Sequence, residues 1–182
     1  MGYKIRETEI EGLLILEPSV FGDQRGYFLE TYSQRAFAEI GLTMAFVQDN
    51  LSCSRKGILR GLHFQAPPFD QGKLVGVVKG HALDVAVDIR KDSPTYGKHV
   101  LIHLSEENHA LFYIPPGFAH GFLAVSEECY FSYKCTNFYD PPSEGGLMWN
   151  DPALGIDWQA SSPTISEKDN HYPPFENFES PF

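Results

Sequence analysis

Positive charge is scarce in this 182-residue chain: 14 Lys and Arg stand against 24 Asp and Glu, a formal charge of −10. A duplex nucleic-acid binder needs a basic surface, so that class of partner is not expected. A small anion remains possible, because a few inward cations can make a positive pocket in an acidic protein. Cysteine is also sparse. Cys53, Cys129 and Cys135 form no C-x-x-C pair and no even framework, which favours a reduced, cytoplasmic setting over a disulfide scaffold. No apolar run approaches the length of a membrane span, and the N-terminus lacks the apolar core of a signal peptide. Met1-Gly2 does not continue as a myristoylation motif, since Arg6 stands where Ser or Thr is required. No membrane partner is expected.

Aromatic residues, by contrast, make up 14% of the chain, and glycine (16) and proline (13) are plentiful without periodicity. That favours β structure with many turns. A short strand is expected over Gly12–Leu16, a turn over Phe21–Gly26 and a strand over Tyr27–Tyr32. Ser33 can cap a short helix through Ile40, stopped by Gly41. From Phe46 onward strand follows strand: Phe46–Ser52, Gly57–Gln65, Lys73–Lys79 and His81–Arg90, then Val100–Leu104, Leu111–Ile114, Gly121–Val125 and Glu128–Cys135. In His81–Arg90 the residues Leu83, Val85, Val87 and Ile89 alternate with Asp84, Ala86, Asp88 and Arg90, a period of two. Asp140–Gly146 is expected as a loop, and Asp151 as the cap of a helical turn. Many short strands and one brief helix imply an antiparallel sandwich or jelly roll. A single domain spanning 1–182 is expected, with a core over about 5–158 and a proline- and aromatic-rich extension over 159–182 that drapes on the core or a partner subunit.

The stretch Gly57-Ile-Leu-Arg-Gly-Leu-His-Phe-Gln65 places a cation, Arg60, three residues before His63. In an unbroken strand the two would face opposite sides; a bulge at Gly61 would let both serve one site. Alone, the pair also fits a hydrogen-bonded core histidine and a snorkelling arginine. An imidazole is suited to general base work. In Tyr130–Cys135 alternation puts Phe131, Tyr133 and Cys135 on one face, so Tyr133 points inward, either as an acid opposite His63 or as a tethered core tyrosine. Lys73 opens a strand, at a barrel mouth or in solvent. Arg25, Arg60 and Lys168 are further candidate cations, each equally at home as a surface charge. His81 has no obvious partners.

Pro115-x-Gly117-x-x-His120 resembles the second motif of the cupin superfamily, whose fold is a jelly roll. Metal-binding cupins carry His-x-His and a nearby glutamate in the first motif; here the corresponding place is His63-Phe64-Gln65, short of the ligands a metal wants. A wider pattern joins it. Asp23-x-Arg25-Gly26-x-Phe28-x-Glu30, Gln48-Asp49-Asn50-x-Ser52, Gly57–Gln65, Gln71–Val75, Asp84–Arg90, Ser93–Gly97, Ile114–Phe122 and Trp149–Pro152 together resemble the dTDP-4-dehydrorhamnose 3,5-epimerase family, in order over residues 5–169.

The resemblance implies an all-β double-stranded β-helix, a cupin-like jelly-roll barrel with short peripheral helices. It implies conversion of dTDP-4-dehydro-6-deoxy-D-glucose to dTDP-4-dehydro-L-rhamnose, on the route to dTDP-L-rhamnose, without metal or organic cofactor. By the same resemblance His63 is the base, Tyr133 the acid, Asp169 the carboxylate that orients His63, and Lys73 the partner of the enolate oxygen. Arg25, Arg60 and Lys168 match positions for the diphosphate, Tyr139 an aromatic for the thymine, and Gln48, Asn50, Glu30, His120 and Glu144 other substrate contacts. A homodimer is implied, with the Arg25–Glu30 segment reaching the neighbouring site. Relatives that epimerise only C3 or only C5, a non-catalytic sugar-binding cupin and a metal-dependent cupin oxygenase are the competing readings.

Overall fold

The computed structural model describes residues 2–182. Its first strands are β1 (Tyr3–Glu7), β2 (Leu14–Pro18), β3 (Val20–Asp23) and β4 (Gly26–Leu29), followed by the helix α1 (Gln34–Glu39). Then come β5 (Gln48–Arg55), β6 (Leu59–Gln65), β7 (Lys73–Lys79), β8 (His81–Asp88), β9 (His99–Ser105), β10 (Leu111–Ile114), β11 (Phe118–Ala124), β12 (Glu128–Cys135) and β13 (Glu144–Gly146). They form a six-stranded sheet in the order β1-β2-β10-β7-β12-β5 and a five-stranded sheet in the order β13-β6-β11-β8-β9. The β3-β4 hairpin stands apart. Every pairing within the two sheets is antiparallel. This is the expected jelly roll.

The alternation along β8 shows how the layers are built. Its Ala82 and Ala86 join Val75, Phe112, Phe122 and Phe131 in the core between the sheets. The alternate Leu83, Val85 and Val87 join Leu59, Leu62, Leu123 and Trp158 on the outer face of the five-stranded sheet. That face is covered by the C-terminal segment, whose Ile165, Phe175, Phe178 and Phe182 pack against it. Covering both faces removes apolar surface from water on each, so β8 is buried along nearly its whole length. A third cluster, with Leu16, Leu74 and Tyr113, receives Phe37 from α1. Ser33 caps that helix by accepting from the Ala36 N–H at 3.4 Å, as its position anticipates.

Asp88 closes the end of β8. Burial pushes its carboxyl up, but hydrogen bonds from Arg90, Ser93 and Thr95 outweigh that and bring it down to about 2. The Asp84–Arg90 and Ser93–Gly97 motifs are therefore partly scaffold.

Four expectations are corrected. β1 precedes the first expected strand and pairs along its length with β2. The expected turn over 21–26 narrows to Gln24-Arg25 between β3 and β4, which leaves Glu30 just beyond a strand that ends at Leu29. In the expected loop 140–146, Glu144–Gly146 forms β13 by pairing with β6. Asp151 caps a turn through the Ala153 N–H at 2.8 Å, but no helix follows. β1 and β13, five and three residues long, carry too little periodicity of their own to stand out, and the partner strand decides their state.

The expected break at Gly61 is present. The β6–β11 register runs His63 opposite His120, then shifts before Arg60 meets Phe122. Gly61 has a φ of +132°, and a Cβ there would lie 2.5 Å from Gly121 Cα and 2.9 Å from the His120 carbonyl oxygen. Both obstacles are backbone, so they cannot rotate away. Gly61→Ala is expected to destabilise the fold by about 3 kcal/mol or more, combining a disfavoured backbone with overpacking. Urea unfolding checks this; a loss under about 1 kcal/mol would show that the bulge relaxes freely.

Candidate active site

Between the sheets lies a cavity of about 830 Å³. Gln48 and Asn50 line it from β5, Lys73 from β7, and Phe131, Tyr133 and Cys135 from β12, all in the six-stranded sheet. Arg60 and His63 from β6, His120 from β11 and Glu144 from β13 line it from the five-stranded sheet. Tyr139, Lys168 and Asp169 complete the wall. Eleven of the thirteen residues named from the sequence thus meet in one cavity. Arg25 and Glu30 do not line it. Arg25 sits exposed at the β3-β4 turn, bonded to the Asp23 carboxylate, and the Glu30 carbonyl accepts from the Tyr3 hydroxyl at 2.9 Å.

The bulge at Gly61 turns both Arg60 and His63 towards the cavity. His63 Nε2 lies 2.6 Å from Asp169 Oδ1. Asp169 is buried; its Oδ2 accepts from the Gly61 N–H at 3.3 Å, and its own N–H donates to Ser166 Oγ at 3.1 Å. Burial raises the Asp169 carboxyl, yet the bonds from His63, Gly61 and Ser166 prevail and hold it below the usual range. An ionised carboxylate on one ring nitrogen selects the tautomer that leaves the other nitrogen free to take a proton.

Tyr133 enters from the opposite sheet. Burial raises its phenol, with Cys135 and Glu144 adding to the effect and Arg60 opposing it, so the hydroxyl is protonated at neutral pH. Lys73 is half-buried, not solvated; burial lowers its ammonium, while Cys135, Asp84 and Glu144 pull it back. Arg60 Nε donates to Ser54 Oγ at 3.0 Å, which steers its guanidinium. At the rim, Glu144 accepts from Lys168 at 2.6 Å and from the Tyr139 hydroxyl at 2.7 Å. Those bonds keep Glu144 ionised against its burial. Gln48 bridges Asn50, through a 3.0 Å bond to Oδ1, and the Tyr139 N–H, which it accepts at 2.9 Å.

One partner went unnamed in the sequence reading. Asp84, fully buried, bonds His120 Nε2 through both carboxylate oxygens at 2.9 and 3.1 Å. Burial lowers the His120 imidazole, Asp84 raises it, and the nearby Lys73 and His63 lower it further. A signal for Asp84 existed: an acid at an inward position of an otherwise apolar strand needs a partner. Among the described residues, no three His, Cys, Asp or Glu side chains converge as a metal site. No helix among them is long and apolar enough to cross a membrane.

The arrangement supplies an oriented base, a neutral phenol from the opposite sheet, and the Lys73 ammonium, the Arg60 guanidinium and the Lys168 ammonium lining the same cavity. That set can move a proton off one face of a carbon beside a carbonyl and return one to the other.

Comparison with known proteins points the same way. The family model described as dTDP-4-dehydrorhamnose 3,5-epimerase matches residues 7–177. The chain is 55% identical over 165 residues to the dTDP-4-dehydrorhamnose 3,5-epimerase of Salmonella typhimurium strain LT2, covering 90% of each chain. It is 50% identical over 175 residues to the enzyme of that name from Methanothermobacter thermautotrophicus, covering 94% of each. Among solved structures, it resembles the dTDP-6-deoxy-D-glucose-3,5-epimerase of Legionella pneumophila Philadelphia 1 in complex with dTDP-4-keto-L-rhamnose. The TM-score is 0.94 at 46% identity, over 97% of this chain and 95% of that one.

Proposed function

This chain belongs to the dTDP-4-dehydrorhamnose 3,5-epimerase family, and on that premise we propose how its cavity carries out the reaction. The protein is an isomerase that converts dTDP-4-dehydro-6-deoxy-D-glucose to dTDP-4-dehydro-L-rhamnose, on the route to dTDP-L-rhamnose. C3 and C5 both flank the C4 ketone, which acidifies their protons. His63 removes one of them, with Asp169 holding the imidazole in place. Electron density moves onto the C4 oxygen, where the Lys73 ammonium meets the developing charge. Tyr133 delivers a proton to the opposite face of the carbon; the imidazolium then gives its proton up to solvent, the phenolate takes one back, and the cycle repeats at the second carbon. The ketone itself supplies the activation, so the proposal includes no metal or organic cofactor.

Arg60, Lys168 and Arg25 receive the diphosphate, Arg being favoured by its forked donors. Tyr139 stacks on the thymine, while Gln48, Asn50, Glu30, His120 and Glu144 make the remaining contacts. Arg25 and Glu30 act in the site of a neighbouring copy. That neither lines the chain's own cavity supports a homodimer, as does the exposure of Val20, Phe21, Tyr27 and Phe28 on the β3-β4 hairpin. Residues 1–182 work as one epimerase domain in which the stretch 159–182, bearing Lys168 and Asp169, belongs to the site. The free thiols Cys53, Cys129 and Cys135 support a cytoplasmic location.

The observation that carries these assignments is the 2.6 Å His63–Asp169 pair facing Tyr133 across one cavity. The test is incubation with dTDP-4-dehydro-6-deoxy-D-glucose in deuterated water, followed by proton NMR. Deuterium is expected at both C3 and C5 of a product with the L-rhamno configuration. Label at one carbon alone would mean a mono-epimerase, and binding without label a non-catalytic sugar-binding protein.

A further inference from the structure

Tyr172 has no part in the chemistry above, yet it touches the group on which that chemistry turns. Its ring stands edge-on to the His63 imidazole, with centroids 5.7 Å apart and planes at 67°. It does not line the cavity. The ring therefore flanks the imidazole from outside the cavity lining.

The contact is built from several directions. Tyr172 directly follows the 3-10 turn Asp169–His171, so one short stretch carries both the carboxylate that bonds His63 and the ring that flanks it. The ring lies over Gly146, where a Cβ would come within 2.5 Å of it and 2.6 Å of the Leu62 carbonyl oxygen. Just beyond, the Pro173 carbonyl accepts from the Met148 N–H at 2.9 Å, and the Phe175 N–H donates to the Asp151 carboxylate. Further on, Phe175, Phe178 and Phe182 bury themselves on the outer core, and the Ser180 hydroxyl bonds the Ile89 carbonyl. The tail is thus anchored on both sides of Tyr172.

We propose that Tyr172 is a positioning residue for His63: its ring confines the imidazole to the orientation in which one nitrogen meets Asp169 and the other faces the cavity, and it keeps water from that hydrogen bond. The inference rests on His63 being the base. The terminal torsion of a histidine is broad, so one hydrogen bond leaves the ring free to rock about it. A second, apolar contact removes that freedom, and proton transfer is sensitive to misplacement of about 1 Å. Around the imidazole stand Asp169 from the tail, Glu144 on β13, His120 on β11, and Arg60 on its own strand. Among the described residues, Tyr172 adds the one aromatic edge packed against it.

The imidazole contact is made by the ring; the hydroxyl lies near the Lys168 ammonium instead. Phenylalanine therefore keeps the proposed function and alanine removes it. Tyr172→Ala is expected to lower kcat about 10- to 100-fold with KM changed by less than about threefold. Tyr172→Phe is expected to restore kcat to within about twofold. A second readout is the low-field proton resonance of the His63–Asp169 hydrogen bond, identified by its loss in His63→Asn. It should persist in Tyr172→Phe and broaden away by solvent exchange in Tyr172→Ala. Tyr172→Leu fills the space without an aromatic edge and, should the alanine variant fail to fold, takes its place with the same expected losses. Wild-type kcat and an intact resonance in the alanine or leucine variant would overturn the inference. So would an equal loss of kcat in the phenylalanine variant, which would move the role to the hydroxyl. If the wild-type protein shows no resonance that His63→Asn removes, the His63–Asp169 assignment itself falls and takes this inference with it.

Discussion

Replacing His63 by asparagine is expected to lower kcat about 10³- to 10⁴-fold and to stop deuterium entering C3 and C5 together. Asparagine is polar and slightly smaller than histidine; its amide takes the place of Nδ1 and falls short of Asp169, but that carboxylate keeps its bond from the Gly61 N–H. The variant should therefore fold and bind the nucleotide sugar. What it lacks is a nitrogen that can take a proton from carbon while a carboxylate 2.6 Å from the other ring nitrogen stabilises the cation formed. Both carbons lose exchange because one imidazole serves both. Lys73 and the diphosphate-binding cations remain, so residual catalysis comes from positioning and charge alone. Exchange is followed by NMR, and binding by calorimetry with dTDP. Near-normal exchange at either carbon would remove His63 from its role there.

Tyr133→Phe is expected to separate two events that the wild-type enzyme couples. His63 still abstracts the proton and can return deuterium from the same side, so solvent label continues to enter the substrate. Delivery from the opposite face fails without the phenol, so inversion drops about 10²- to 10⁴-fold. The expected product is substrate with its original configuration and deuterium at the carbons His63 reaches. The direction of the Tyr133 shift supports this: burial holds the phenol protonated, which suits a donor and not a second base. Loss of only the hydroxyl leaves the ring packed against Phe131 and the inner core, so the fold should survive. Inversion at close to the wild-type rate would assign the acid to another group. Loss of label as well as inversion would mean that Tyr133 also takes part in forming the enolate.

Both experiments depend on groups supplied by opposite sheets, and this is where sequence and structure divide the information. The inward direction of Tyr133 follows from alternation along Glu128–Cys135, and β12 occupies that same range. The bend at Gly61 follows from the spacing of Arg60 and His63 once both are asked to serve one site, and the register shift lies there. The helix capped by Ser33 and the strands Lys73–Lys79 and Leu111–Ile114 were equally legible, because neighbouring residues along the chain encode period, caps and stops.

Asp169 is the contrasting case. Nothing in Ser166-Glu-Lys-Asp169 marks it as more than a loop acid, and only family resemblance singled it out. It lies 106 residues from His63 along the chain, and the two meet because the C-terminal segment is held against β6, at Leu59, Gly61 and His63. Asp84 and His120 are 36 residues apart and meet because β8 and β11 are neighbours in one sheet. β1 and β13 are strands only because β2 and β6 offer them ladders. By itself, then, the sequence determined the alternation, the breaks, the acidic balance and the identity of the groups able to move a proton. Tertiary structure alone decided which of them touch. A hydrogen bond or an edge-to-face ring contact extends only a few ångströms, and which distant residues come that close depends on which strands pair and where the tail is tied down.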